Sequence, residues 1–344
     1  MRIFRVALTR LAARTVCAIA ALTPLVGAQT IGVLDTLQQP DSQSSVGFPV
    51  GSSFADAVAV SGSWAVVGEP GFRIPGLGFA GRILILRRDV HGQWSTFQTF
   101  DGSQLDGTLG QSVAISATTP HEVTIVAGAP GANSAKFILY RDGLGGTLEY
   151  WTTSTVTPSQ PAEQVGEFGA AVATNGNFTL VGQPHRGAGF VYVYHRPPGF
   201  DFAGPLGSFT QASALGQASE FGASLAMSGS TALIGAPNYH VIDGLQPSVF
   251  VYRFTQTAWP LDQRLAWAFS GGTFSLGFGK SVAIDGDRCV VGAPDTTVAG
   301  HAGAGRAIAF TRSGLTWSQE RVYEAAVPED GAAFGFGVAV DGDD

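Results

Sequence analysis

The feature that most constrains the fold is a segment that recurs six times along the chain. Its clearest copy, FGKSVAIDGDRCVVGAP from Phe278 to Pro294, predicts two short strands joined at Asp285-Gly286, because Asp and Gly tolerate the positive φ of a tight hairpin turn. The other copies begin at 54, 109, 168, 221 and, in truncated form, 334, so neighbouring copies are 53 to 59 residues apart. A regular period of this size in strand-rich units is typical of propeller blades.

Each complete copy continues into a third and a fourth strand. The third strands are predicted at 82–88, 137–141, 190–196, 249–254 and 306–312. The fourth often opens with a tryptophan, as at Trp94, Trp151, Trp259 and Trp317. Since four strands form one blade, the sequence predicts an all-β propeller of four-stranded antiparallel blades. Five blades are complete and a sixth begins, which suggests a fragment of a six- or seven-bladed ring.

The first strand of every copy has a bulky face and a small face, because successive side chains point to opposite sides. In the copy from residue 278 the bulky face holds Phe278, Val282 and Ile284, and the small face holds Gly279, Ser281 and Ala283. We expect the bulky face of one blade to pack on the small face of its neighbour. Three serines follow Gly-x, as the nucleophile of some hydrolases does: Ser112, Ser224 and Ser281. Other copies have alanine at this small-face position, so a packing role is favoured over a catalytic one.

The Phe-Gly opening and Gly-Ala-Pro close resemble the FG-GAP repeat, the blade unit of the integrin α-chain head, which secreted bacterial proteins also carry. The resemblance spans residues 54–344 and departs from the pattern at Ala55, Leu109, Glu69 and Gln183. It implies a β-propeller, usually seven-bladed, that serves binding and cell adhesion, and it identifies no ligand.

Integrin-type repeats often carry Asp-x-Asp-x-Asp-Gly calcium loops between strands one and two, since calcium needs several oxygen ligands. The corresponding turns here are short, and Asp285 with Asp287 supplies too few ligands. We therefore predict no bound calcium, no other metal and no cofactor. A buried structural thiol, rather than a nucleophile, is expected at Cys289.

The first 28 residues have the pattern of a Sec-type signal peptide. Four arginines precede an apolar run from 16 to 26, which is too short to cross a bilayer. Residues 29–53 form an N-terminal segment in which 30–38 could be a closing strand, and 54–344 form the propeller. We expect a protein that is secreted, extracellular or at the cell surface, with no transmembrane segment.

The charge balance argues against a nucleic-acid partner. Without the four arginines of residues 1–28, 15 basic residues remain against 26 acidic ones, a net charge of −11. Nucleic acids are bound through clustered Lys and Arg, which this chain lacks.

The loops between strands two and three differ most between blades, and rigid scaffolds place recognition on such loops. The candidate binding residues are Phe72, Arg73, His185, Arg186, Tyr239, His240, Asp295 and His301. We expect a non-catalytic module that binds an extracellular protein or glycan, and therefore not an enzyme. Two alternatives stay open: a structural repeat region of a larger cell-surface protein, and a propeller enzyme with a rim or channel site, to which His185, His240 and His301 could contribute.

Overall fold

The structure, a computed structural model, describes residues 9–11, 14–19, 35–37, 53–119, 122–142, 148–158, 166–196, 205–209, 219–238, 246–267 and 277–341. Five four-stranded antiparallel sheets follow one another along the chain, each with its strands in sequence order. The predicted all-β propeller of four-stranded blades is confirmed. Within the described residues the single helix is a 3-10 turn, Pro130–Ala132.

The strands of each blade are as follows. Blade 1 consists of β4 (Ala57–Ser61), β5 (Trp64–Glu69), β6 (Arg82–Arg88) and β7 (Trp94–Asp101). Blade 2 consists of β8 (Ser112–Thr119), β9 (Glu122–Ala129), β10 (Ser134–Asp142) and β11 (Leu148–Val156). Blade 3 consists of β12 (Val172–Thr174), β13 (Phe178–Gln183), β14 (Phe190–His195) and β15 (Pro205–Phe209). Blade 4 consists of β16 (Ser224–Ser228), β17 (Thr231–Ala236), β18 (Ser248–Arg253) and β19 (Leu261–Ala266). Blade 5 consists of β20 (Ser281–Asp285), β21 (Arg288–Ala293), β22 (Arg306–Ser313) and β23 (Thr316–Tyr323).

Three shorter strands precede the blades. β1 (Thr9–Leu11), β2 (Arg14–Ile19) and β3 (Asp35–Leu37) form a separate three-stranded sheet. β3 pairs with β2, and the closing strand expected within 30–38 stays a prediction. The signal peptide and the segment boundaries at 28 and 53 stay predictions, and most of residues 1–52 lie outside the described ranges.

The Phe-Gly pair lies before the first strand rather than in it, which differs from the strand start inferred from the sequence. In blade 5 the strand begins at Ser281, while Gly279 has a φ of 91°. This left-handed conformation favours glycine. The Ser281 hydroxyl donates a 2.7 Å hydrogen bond to the Gly335 carbonyl, and Ser112 and Ser224 donate to Gly169 and Gly279 in the same way. These serines therefore join consecutive copies, in line with the packing interpretation.

The glycine of the closing motif allows the next copy's Phe-Gly turn to approach. A Cβ placed on Gly128 would lie 1.9 Å from the carbonyl oxygen of Gly169. The same contact recurs in every copy; the pairs are Gly68 with Gly110, Gly128 with Gly169, Gly182 with Gly222, Gly235 with Gly279, and Gly292 with Gly335. The closing motif of one copy and the Phe-Gly pair of the next copy therefore contact each other at every blade interface.

Bulky and small faces pack as the sequence predicts. The core between blades 4 and 5 joins Phe278, Val282 and Ile284 to Ala226 and the apolar strands of blade 4. The sixth copy follows the same rule, because Phe334, Val338 and Val340 pack on the small face of blade 5. Each internal interface thus buries apolar area that a single blade would expose to water.

One position in the blade interfaces changes chemistry from blade to blade. The start of strand two in one blade faces the end of strand three in the next. The facing pairs are Thr124 with Arg196 at 3.3 Å, Phe178 with Phe254 at 4.6 Å between ring centroids, and Thr231 with Arg312 at 3.2 Å. At this position a polar residue faces a polar residue, and an aromatic residue faces an aromatic residue. The two blades of each interface therefore carry side chains of the same chemical type here.

Cys289 is fully buried in the core between blades 4 and 5, where its thiol has apolar neighbours. Burial raises the pKa of this thiol above its ordinary value, because the thiolate would lose its hydration. The side chain has the environment of a structural cysteine, as the sequence suggested.

Candidate functional site

The loops between strands two and three lie at the same end of the blades as the connections that lead to the next blade. In blade 1, Phe79 donates its backbone N–H to the carboxylate of Asp106 at 2.9 Å, and Asp106 donates its own to the Leu77 carbonyl. In blade 5, Asp330 accepts from the backbone of Ala302 at 2.9 Å. We call this end, formed by 71–81, 102–110, 131–134, 166–168, 185–189, 219–220, 295–305 and 329–333, the loop face.

The aromatic and basic residues of the first loop pair with one another. The Arg82 guanidinium lies 3.4 Å from the ring centroid of Phe72. The Arg73 guanidinium lies 4.3 Å from the ring centroid of Phe79. Phe79 is 40% exposed. Cation–π pairs of this kind hold long side chains in place, so the loop presents an ordered surface of aromatic and guanidinium groups.

His185 lies between two carboxylates that belong to different connections. Its Nδ1 is 3.0 Å from Glu167 Oε2, on the connection into blade 3, and its Nε2 is 3.6 Å from Glu220 Oε1, on the connection into blade 4. All three side chains are partly exposed. This cluster, Glu167–His185–Glu220, is thus accessible to a ligand.

The two glutamates have unusual backbone conformations. Glu167 has a φ of 63° and Glu220 a φ of 53°, a region that costs a non-glycine residue about 1–2 kcal/mol. The same position is Gly277 in blade 5, with a φ of 75°. The repeat imposes this conformation immediately before Phe-Gly, and it holds both carboxylates at the loop face.

Arg186 contacts side chains of its own blade. Its Nη1 donates to the Tyr192 hydroxyl at 2.9 Å, and its guanidinium lies 4.2 Å from the Phe190 ring centroid. The Tyr192 hydroxyl in turn donates to Gln183. Arg186 is therefore positioned by blade 3 itself.

Asp295 in blade 5 is equivalent to His185 in blade 3, because each directly follows the closing proline of its copy. It accepts from Lys280 Nζ at 3.0 Å, and the Cβ that Gly277 lacks would lie 2.5 Å from its carboxylate. His301 Nδ1 lies 3.4 Å from Asp330. Tyr239 and His240 lie outside the described residues.

Sequence reasoning missed Glu167, Glu220 and Lys280. The signal was present, since the two glutamates immediately precede Phe-Gly and Lys280 immediately follows it. In space Glu167 and Lys280 face the residue after the closing proline of their own copy, 18 and 15 residues further along the chain, whereas Glu220 faces His185 of the preceding copy.

The described part of the chain contains no group of three or more His, Cys, Asp or Glu residues arranged to hold a metal ion. The opposite end of the blades has a shallow, open depression of about 500 Å³ in blade 1, lined by Gly62, Ser63, Arg88, Asp89, Val90, His91 and Gly92. Within the described residues there is also no helix with the length and hydrophobicity of a membrane span.

No protein-family model matches the sequence, and no curated protein shows significant similarity to it. Solved structures do share its fold. A protein from Lactobacillus plantarum aligns with a TM-score of 0.55 and 14% identity over 96% of this chain and 83% of that one. The periplasmic gluconolactonase of Pseudomonas aeruginosa aligns with a TM-score of 0.50 and 12% identity over 92% of this chain and 81% of that one. The β-propeller domain of the Trilobed protease from Pyrococcus furiosus has a TM-score of 0.40 and 8% identity, over 76% and 69% of the two chains.

Two expectations from the sequence are wrong. The FG-GAP, integrin-like assignment fails, because no family model matches and the similar structures are other propellers. The physical reason is that the glycines of Phe-Gly and Gly-x-Pro meet in one tight contact between blades, so packing can select these glycines without common descent. The expectation that the chain is not an enzyme also fails, because a gluconolactonase shares its fold.

Proposed function

We propose that this protein is an exported β-propeller that binds an extracellular protein or glycan through its loop face. The observation that supports this most is a contact that recurs in two blades: Asp106 and Asp330 each accept a hydrogen bond from the backbone of a loop, and the two loops differ in sequence. Loops fixed before binding lose little conformational entropy when a ligand arrives. The periplasmic location of one protein with this fold accords with export.

The candidate binding residues on this face are Phe72, Arg73, His185, Arg186, Asp295 and His301, with Tyr239 and His240 on the same predicted loops. Glu167, Glu220 and Lys280 extend the surface. Together they present aromatic rings, guanidinium groups and carboxylates, the chemistry that enters protein and glycan interfaces. The alternative of a structural repeat region requires no ligand on this face.

The double variant Arg73→Ala/His185→Ala is expected to weaken capture of the partner about tenfold or more, because removal of an interface anchor costs upward of about 1.4 kcal/mol. The matched control is Arg88→Ala/His91→Ala at the opposite end of blade 1, which should leave affinity unchanged. Affinity would be measured by biolayer interferometry against ligands found on glycan and ectodomain arrays. Loss of affinity in the control pair alone would place the site at the opposite end.

Catalysis at the loop face is a second candidate function, favoured by the hydrogen-bonding distance between His185 and Glu167. A carboxylate that orients an imidazole is an arrangement used in general acid–base catalysis. A screen of ester and lactone hydrolysis should then show turnover that His185→Ala lowers by at least about 100-fold. Turnover that is equal in this variant, or absent throughout, would remove this candidate.

A further inference from the structure

The chain contains only two lysines, Lys136 and Lys280. Lys280 is paired with Asp295 at 3.0 Å. Lys136 has no carboxylate within ion-pair distance in the described part of the chain, and its ammonium group lies over the Phe100 ring, whose centroid is 5.8 Å from Nζ. The two lysines therefore have different electrostatic environments.

Lys136 lies between blades 1 and 2, next to the loop face. It pairs in β10 with Ala127 of β9 and with Thr155 of β11. Ile138 and Tyr140, two and four residues further along the strand, belong to the core between blades 1 and 2. Because alternate residues share a face of a strand, the Lys136 side chain is on the side that faces blade 1.

A groove surrounds it at this place. The groove has a volume of about 20 Å³, enough for one water-sized group. Its polar lining consists of Ser103, Gln104, Ser134, Thr155 and Lys136, and the rest of the lining is glycine, alanine and leucine. Lys136 is therefore the only charged residue in a lining that contains no Asp or Glu.

The groove desolvates the ammonium group without neutralising it. Burial lowers the pKa of Lys136 from its ordinary value, because water around the charged form is lost. A bound anion would reverse this loss. Ser103, Gln104 and Thr155, at the exposed rim, can donate the hydrogen bonds that an anion requires.

We propose that this groove binds the carboxylate of an acidic glycan, with one oxygen inserted beside Lys136. This inference rests on the proposed function, since it names the ligand class of the same face. A uronate fits because its carboxylate is attached directly to a ring whose hydroxyls can meet the neutral rim. An acidic peptide would bring several charges to a groove that holds one cation.

The test uses the whole protein labelled with ¹³C at lysine Cε, which gives two lysine signals. The probes are an oligogalacturonide and its fully methyl-esterified form of equal length, in which every carboxylate is masked. We expect the acid to shift the Lys136 signal in a saturable way and to move its titration midpoint to higher pH. The ester should leave it unchanged.

Lys136→Gln is expected to weaken binding of the oligogalacturonide about tenfold, the loss that follows from one charge-assisted hydrogen bond. This variant should fold, because it removes a desolvated charge. With the folded pKa lowered, the unfolded state binds more protons up to about pH 10.5. Stability of the wild-type protein should therefore rise with pH in the window below that value, and Lys136→Gln should lack this rise.

Equal responses to acid and ester, or no response to either, would overturn the proposal. A shift produced only by polyglutamate would assign the groove to an acidic peptide and overturn the glycan inference. The experiment distinguishes failure of this inference from failure of the proposed function. If Lys136 stays silent while the Arg73 and His185 variants lose their partner, only this inference fails. If Lys136 responds while those variants retain their partner, the loop face binds a glycan through the groove and the assignment of Arg73 and His185 to the binding site fails. If neither responds, both proposals fail.

Discussion

Replacing Gly128 with alanine is expected to destabilise the protein by about 3 kcal/mol, the upper part of the range for overpacked interiors. The added Cβ would lie 1.9 Å from the Gly169 carbonyl oxygen and 2.3 Å from the Ser112 hydroxyl. Both obstacles belong to the contact between blades 2 and 3, and the first is backbone. Relief therefore requires one blade to move away from its neighbour, which would also stretch the hydrogen bond from Ser112 to Gly169.

Gly207→Ala is the matched control. Gly207 is a strand glycine in β15, and a Cβ added there meets no atom within 4 Å. We expect this substitution to change stability by less than about 0.5 kcal/mol. Urea denaturation followed by tryptophan fluorescence measures both variants. Equal midpoints for Gly128→Ala and wild type would show that the blades are further apart than the structure places them.

Arg196→Ala is expected to cost about 3–5 kcal/mol, the usual result when one partner of a buried ion pair is removed. Arg196 is 1% exposed. Its guanidinium bonds to Glu122 and, at 2.9 Å, to the Gly176 carbonyl, and it reaches Thr124 of blade 2. The substitution leaves a cavity and removes a bridge between blades 2 and 3.

Arg312→Ala tests the same repeat position under weaker burial. Arg312 bonds to Thr231 in the preceding blade as Arg196 does to Thr124, but its side chain is 20% exposed. Its replacement should cost about 1 kcal/mol or less. Arg196→Met retains most of the side-chain volume and so separates the charge from the packing.

A double-mutant cycle with Glu122→Gln isolates the pair, provided that both single variants fold. Glu122 retains Arg141 at 3.0 Å when Arg196 is lost, so the coupling energy should be smaller than the single-variant cost. If Arg196→Ala destabilises the protein no more than Arg312→Ala does, burial of the arginine does not determine its contribution to stability at this position.

The sequence by itself determined the strands, the blades and the order of their faces. Alternation in segments such as Phe278 to Ile284 has the period of a strand, and repetition fixes where each blade begins. Alternation is local to one copy and repetition appears when copies are compared, so neither feature depends on contacts between folded blades. The variable loops were identified for the same reason, although the eight candidate binding residues stay predictions.

Only the tertiary structure decided how the copies meet. The facing of Thr124 with Arg196 depends on the register between strands that are 72 residues apart, which no local pattern reports. The same holds for His185 between Glu167 and Glu220, and for the groove around Lys136. The Phe-Gly motif shows the limit most clearly: its residues were visible in the sequence, but its cause, a carbonyl against a missing Cβ, exists only between two folded blades.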